Sequence, residues 1–294
     1  MFYRRKILLA LLQLFDDRLE KIKLQKLLFL FTQQQTKGEY DFVPYKFGCY
    51  SFSANADLTA MVQKGILSET ASRFILNDKT DYLRTLKDED KKQLQEIKTF
   101  YGKMDNKALM KYTYIHYPYW AINSTAAENI LSASELEKVS KSRPVSNKTI
   151  LFTIGYEGIS LEEYLNRLVR NDIKLLVDVR NNPLSMKYGF SKSQLSRYCE
   201  TLGIQYIHFR EVGIQSEQRK QLKTQADYDN LFATYRTTIL RNTQATQNTV
   251  FDLLKRHQRI ALACFEANID QCHRKHLAEA IVRLPGFCYE LKHI

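Results

Sequence analysis

The 294-residue chain is 44% hydrophobic and 26% charged, which leaves room for two ordinary domains with real cores and excludes a disordered polypeptide. It holds no apolar run long enough to span a bilayer, so no membrane role is expected. Lys and Arg total 44 against 32 Asp and Glu, and the formal charge of +12 favours a polyanionic partner, nucleic acid above all.

The basic start, residues 1–6, runs into apolar residues 7–12, but Gln13, Asp16 and Asp17 interrupt the run and no small-residue cleavage site follows. That pattern predicts a first helix and not a signal peptide. Cys49, Cys199, Cys264, Cys272 and Cys288 are odd in number and scattered, which argues against a disulfide framework and fits a cytoplasmic, reducing location. Leu24, Leu27, Leu28 and Phe31 recur at helical spacing, residues 40–47 read as extended, 54–64 as helical and 73–76 as a short wing strand. Residues 1–131 therefore read as a helix-rich module with small strands, in the manner of a winged helix. Its aromatic strip, Tyr112 to Trp120, suits either stacking on unpaired bases or docking of one domain on the next. Residues 132–148 are polar, Ser-rich and broken by Pro144, and are the expected linker.

From 149 to 294 strand and helix alternate, which predicts an α/β domain: a mostly parallel sheet with helices on both faces. Strands are expected at 150–154, 175–179, 205–209 and 260–264, and helices at 160–170, 191–201, 228–241 and 250–256. Ser160, with Glu163 three residues on, is the N-cap of the first of these helices. Asp270 is the expected cap of a further helix through Leu284, and residues 287–291 read as a closing edge strand for which an antiparallel direction is open.

Ligands of open α/β sheets bind outside the carboxyl ends of the strands. Those ends carry Gly155, Tyr156 and Glu157; Asp178 and Arg180; Tyr206 and His208; and Cys264 with Glu266. As acid, base or nucleophile the candidates are Glu157, Asp178, His208, Glu266 and Cys272. Gly155, Tyr156, Arg180, Ser185, Tyr206, Cys264, His273 and Arg274 are candidates for holding ligand or phosphate. Plainer roles compete: Asp178 and Arg180 fall on one side of an extended strand and suit a salt bridge, and His208 between Ile207 and Phe209 suits a satisfied core histidine. If Asp270 caps its helix, Cys272 and His273 lie in the first turn, where a phosphate, a reactive thiolate or a metal is favoured. Zinc sites commonly pair cysteines at short spacing, whereas seven residues separate Cys264 from Cys272, so no resident metal or other cofactor is expected. Lys187, Lys192, Arg197, Arg219 and Lys220, with Arg4 and Arg5, are side chains able to track phosphates.

Four motifs, Thr153-Ile154-Gly155-Tyr156-Glu157-Gly158, Val177-Asp178-Val179-Arg180-x-x-Pro183-x-Ser185, Gly203-Ile204-x-Tyr206-x-His208, and Cys264-Phe265-Glu266 with Cys272-His273-Arg274, resemble the prokaryotic domain-of-unknown-function family numbered 488. The resemblance covers roughly residues 149–294 and implies a compact α/β domain with a polar rim, but no settled activity. Members tend to have a glycine pair after the His motif, where this chain reads Glu211-Val212-Gly213-Ile214. Upstream, Lys23-Leu24-Gln25-Lys26-Leu27-Leu28-Phe29, Tyr40-x-Phe42-Val43-Pro44-Tyr45-x-Phe47-Gly48-x-Tyr50-Ser51 and Lys64-Gly65-Ile66-Leu67 are similar to the SocA-like antitoxin domain, also called Panacea. Cys49 stands where a proline is more usual. That likeness implies a protein partner or nucleic-acid association through the first domain, in a defence setting.

Two function classes fit. One is a hydrolytic enzyme on a nucleotide or a modified base in nucleic acid, N-glycosidic cleavage included. The other is a non-catalytic sensor or antitoxin-like binder. No Walker loop, complete G-x-G-x-x-G or H-E-x-x-H is present, which excludes ATPase, dinucleotide oxidoreductase and zinc-protease readings. Composition and motifs leave the oligomeric state open.

Overall fold

The first helix of the computed structural model, α1 (Tyr3–Leu14), is apolar nearly all round, and Ile7 through Leu12 are fully buried in the core of their unit. The structure describes residues 1–219 and 222–294, so the basic Lys220 lies outside the described residues. Strand β1 (Arg18–Glu20), α2 (Lys21–Thr32), the β2 (Val43–Tyr45) and β3 (Gly48–Tyr50) hairpin, α3 (Phe52–Gln63), β4 (Leu67–Glu69) and β5 (Arg73–Leu76) follow. Strands β1, β5 and β4 form an antiparallel sheet in that order. Helices α4 (Asp88–Tyr101) and α5 (Asn106–His116) complete the layer around α2. Ser51 starts α3 and Asp105 starts α5, each accepting a backbone N–H from three residues on.

The aromatic strip packs within its own unit: Tyr117 and Trp120 meet Phe29 of α2 edge-on, at 5.1 and 5.4 Å between ring centroids. Arg4 and Arg5 converge on the buried carboxylate of Asp57, each at 2.7 Å, so neither is a simple solvated charge.

Within residues 132–148, expected as a linker, the backbone is partly helical. Ser132 and Glu135 make a reciprocal capping box that starts α6 (Ala133–Lys141), so the Ser-rich stretch is mostly helix. The same Ser and Glu that made the segment look polar are what nucleate it. The chain divides into the units Met1–Arg143 and Pro144–Ile294. Ser146 and Lys148 already belong to the second: the Arg259 guanidinium donates to the Ser146 hydroxyl and the Lys148 carbonyl, at 3.0 and 2.9 Å.

That second unit is an α/β fold. Its order is β6 (Ile150–Gly155), α7 (Leu161–Arg170), β7 (Leu175–Asp178), α8 (Lys192–Thr201), β8 (Gln205–His208), α9 (Gln225–Tyr235), α10 (Gln244–His257), β9 (Arg259–Cys264), α11 (His273–Val282) and β10 (Glu290–His293). The sheet runs β10-β6-β9-β7-β8 and every pairing is parallel. β10 therefore corrects the open antiparallel option: the crossover through α11 returns the chain to the same end, which forces a parallel strand. Strands β6, β7 and β9 are buried throughout, as their unbroken apolar runs require. Leu151, Val177 and Leu262 share one apolar cluster with Phe232, Leu254 and Leu277 of α9, α10 and α11. Right-handed crossovers place α7 and α8 on the opposite face.

This topology contains a switch point. The chain leaves β7 for β8 on one side and leaves β9 for β10 on the other, although β7 and β9 are neighbours. Their diverging connections open a crevice at the carboxyl end. Limited trypsin digestion of the full chain is predicted to cut near the unit boundary, at Lys138 or Lys141, leaving the second unit protected; preferred cleavage between β8 and β9 with no protected C-terminal fragment contradicts the two-unit division.

Candidate functional site

The carboxyl end of β7 is built around a buried ion pair. Asp178 and Arg180 alternate to the same side of extended backbone, and the Arg180 Nε and Nη2 donate to both Asp178 oxygens at 2.5 to 3.1 Å. Tyr206 donates its hydroxyl to Asp178 Oδ2 at 2.5 Å, and Arg180 Nη1 donates to the Tyr156 hydroxyl and the Phe190 carbonyl. Tyr156 stacks on Phe190 at 4.1 Å. Burial works against charge on Arg180, yet the Asp178 carboxylate and Tyr156 raise its pKa above the usual arginine value. Burial and the adjacent carboxylate likewise push the Tyr206 hydroxyl well up. Four of the expected site residues are thus turned on one another.

The pair also sets the backbone beyond the strand. His208 Nε2 lies 2.7 Å from the Arg180 carbonyl, and His273 Nε2 lies 2.9 Å from the Val179 carbonyl. A carbonyl only accepts, so both rings carry a proton on Nε2 and turn Nδ1 away from this backbone. Gly213 lets the turn after β8 lie against this backbone: a Cβ there meets the Asn181 nitrogen at 2.1 Å.

Beside His273 a second group converges at the crevice. Cys264 closes β9, a 3-10 turn (Ile269–Gln271) folds the chain back, and Cys272 becomes the N-cap residue of α11. Asp270 is not that cap; its carboxylate pairs with Lys275 at 2.6 Å, because the turn ends two residues later than the spacing suggested. The ligating atoms of Cys264, Glu266, Cys272 and His273 lie within 4.8 Å of one another. Both thiols donate to Glu266 Oε2, at 3.0 and 2.9 Å, and Arg219 pairs with the other oxygen, Oε1. Arg219 also reaches His273 Nδ1 at 2.8 Å. Burial opposes ionisation of Cys264, but hydrogen bonding from Cys272 and the fields of His273 and Arg219 hold its pKa well below that of a free thiol. Burial and Cys264 itself push Cys272 well above. The sequence suggested that the two thiols lie near one helix start; the convergence of Glu266 and His273 on both of them is what the fold adds.

The position of Glu266 is clamped from its backbone. Arg274, expected to hold phosphate, donates Nη1 to the Glu266 carbonyl at 2.6 Å and is almost wholly buried. Gly155 lies beneath the same carbonyl, whose oxygen would stand 1.9 Å from any Cβ added there, so only glycine fits. Glu157 accepts from the Ala267 N–H at 2.9 Å, tying the loop after β6 to the loop after β9. Ser185 exchanges hydrogen bonds with Ser191 and so braces the loop before α8.

A polar cleft of about 590 Å³ opens beyond β7 and β8, lined by Asn181, Asn182, Lys192, His208, Arg210 and Glu217 among others. It receives the expected His208 and also Lys192, one of the basic side chains expected to track phosphate; Arg210 was placed at the strand end without a role, and Glu217 was missed because it reads as an ordinary surface charge. In the first unit a pocket of about 450 Å³ surrounds Lys26 and Cys49. Lys26 Nζ donates to the Cys49 carbonyl at 3.0 Å and contacts its sulfur at 3.4 Å. Burial pushes the lysine pKa down and the thiol pKa up. A lysine within an amphipathic helix gave no signal of that burial.

Residues 160–281 match the family model of DUF488, a domain of unknown function. No curated protein matches the chain. The DUF488 segment runs from the cap of α7 into α11 and so holds β7, β8, β9, the cleft and the thiol cluster. β6 with Gly155, Tyr156 and Glu157 precedes it.

Replacing Asp178 with Asn leaves Arg180 buried without its counter-ion and is predicted to cost about 3–5 kcal/mol in denaturant unfolding of the second unit. The double variant Asp178→Asn/Arg180→Met should recover most of that loss; a single variant as stable as wild type contradicts the assignment.

Proposed function

We propose that the DUF488 segment is a hydrolase acting on a nucleotide or nucleic acid, whose phosphate is bound in the polar cleft at the carboxyl ends of β7 and β8. The observation that carries this reading is His208: its Nε2 is fixed on the Arg180 carbonyl, no partner of its Nδ1 is present among the described residues, and Lys192, Arg210 and Glu217 share the cleft wall. Lys192 and Arg210 supply charge for phosphate, and Lys192 begins α8, whose first-turn N–H groups add to the anion-attracting field. His208 and Glu217 are the acid/base pair, one to activate water and one to protonate the leaving group. Glu157, Asp178 and Glu266 have their carboxylates engaged within the protein, so their proposed part is positioning.

The first unit fits a nucleic-acid or protein partner. Its α1–β1–α2–α3–β4–β5 succession, interrupted by the β2–β3 hairpin and followed by α4 to α6, is in keeping with a winged-helix reading, and the +12 charge of the whole chain favours a polyanion. Among the described residues no helix is long and apolar enough to cross a membrane.

A second reading, a sensor that binds without turnover, is favoured by the internal satisfaction of the carboxylates just named. One experiment separates the two. The full chain is incubated with mononucleotides and with single- and double-stranded oligonucleotides, and base release, strand cleavage and phosphate release are followed. Turnover is expected, with His208→Ala slowing it by about 100-fold or more. Lys192→Ala and Arg210→Ala should weaken binding and flatten its salt dependence by about 0.7–0.9 in log–log slope per lost phosphate contact. Binding without product supports the sensor, and no binding at low salt contradicts both.

A further inference from the structure

We propose that Cys264, Glu266, Cys272 and His273 form a four-ligand site for a divalent metal of the zinc type, at the point where the connections of β7 and β9 diverge. This goes beyond the hydrolase reading and does not depend on it.

The donor set is two sulfurs, one imidazole nitrogen and one carboxylate oxygen, which suits a borderline-soft ion held tetrahedrally. Cys264, Cys272 and His273 are at most 2% exposed, so the ligands are held by packing and not by loops in solvent. Their orientation is set before any ion arrives. The Val179 carbonyl takes the Nε2 proton of His273, which aims the Nδ1 lone pair at the sulfurs; Cys264 Sγ is 3.6 Å away. Metal-bound histidines are typically fixed this way, by an acceptor on the far nitrogen. Glu266 divides its oxygens: Oε1 faces Arg219 and Oε2 faces the two thiols. Arg274 Nη1 on the Glu266 carbonyl and Gly155 beneath it hold that residue in place.

Charge and protons balance. With both thiols ionised, the ligands carry three negative charges; a divalent ion cancels two and Arg219 the third. The metal binds the two sulfurs as thiolates, and any proton they still carry leaves to solvent. Arg219 then releases His273 Nδ1 to the metal and stays on Glu266 Oε1. Because Arg219 ends the 3-10 turn Ser216–Arg219, and Ser216 and Glu217 line the polar cleft, the same ion would anchor one wall of that cleft.

The test uses the full chain, reduced and stripped with chelator, titrated with Co²⁺. One ion per chain is expected, with thiolate-to-cobalt charge-transfer absorption, strong visible bands of tetrahedral cobalt and displacement by Zn²⁺. Cys272→Ser and His273→Ala should lower affinity by more than about 100-fold, whereas Cys288→Ser, at an exposed thiol outside the cluster, should change nothing. If either ligand variant folds poorly, the wild-type spectrum decides. A reduced wild-type chain that takes up no cobalt, takes it up without a thiolate band, or responds equally to Cys288→Ser overturns the site. So does a chain whose Cys264 and Cys272 are found only as a mutual disulfide that, once reduced, binds no ion.

Discussion

The buried pair of Asp178 and Arg180 is the interaction on which the second unit's rim depends. It sits at the last residue of β7, beside the divergence of the sheet's connections, and it spends the donors of Arg180 on Asp178, Tyr156 and the Phe190 carbonyl. A buried pair of this kind adds little net stability, since desolvation offsets most of the attraction. What it does is hold the backbone so that two successive carbonyls, of Val179 and Arg180, each orient a histidine. His273 faces the thiols and His208 faces the polar cleft. One strand end thereby serves two neighbouring chemical settings.

The division of labour explains why so many expected site residues proved to be supports. Tyr156, Asp178, Arg180 and Tyr206 form the inner network; Gly155, Glu157 and Arg274 fix the loop that carries Glu266; Ser185 braces the loop before α8. Groups with spare chemical capacity lie one layer out. A ligand-binding rim requires such an inner frame, because side chains that must meet a ligand within tenths of an ångström need their own positions over-determined.

Much of the fold was legible in the chain. Apolar runs at 150–154, 175–179 and 260–264 are the buried strands, and Ser160 with Glu163 does cap α7. Local rules failed where one residue type serves two purposes. Ser132 and Glu135 read as linker polarity but close a capping box, and Asp270 read as a helix cap but pairs with Lys275 after an extra 3-10 turn. Of the site, the strand-end rule found His208 and the thiols. It did not set Lys192 or Arg210 apart from the other basic side chains, nor find Glu217 or the role of Arg219, since nothing local distinguishes a charge that faces a cleft from one that faces water. Nor did it find the buried Lys26 and Cys49 of the first unit, which become neighbours only when the β2–β3 hairpin folds over α2.

The account's central claim, that the backbone at the end of β7 orients both histidines, is tested most directly by long-range ¹H–¹⁵N correlation spectra of the imidazoles slightly above neutral pH. His208 and His273 are each predicted to show a slowly exchanging proton on Nε2. A ring whose proton sits on Nδ1 alone, or averages rapidly between the two nitrogens, contradicts the account.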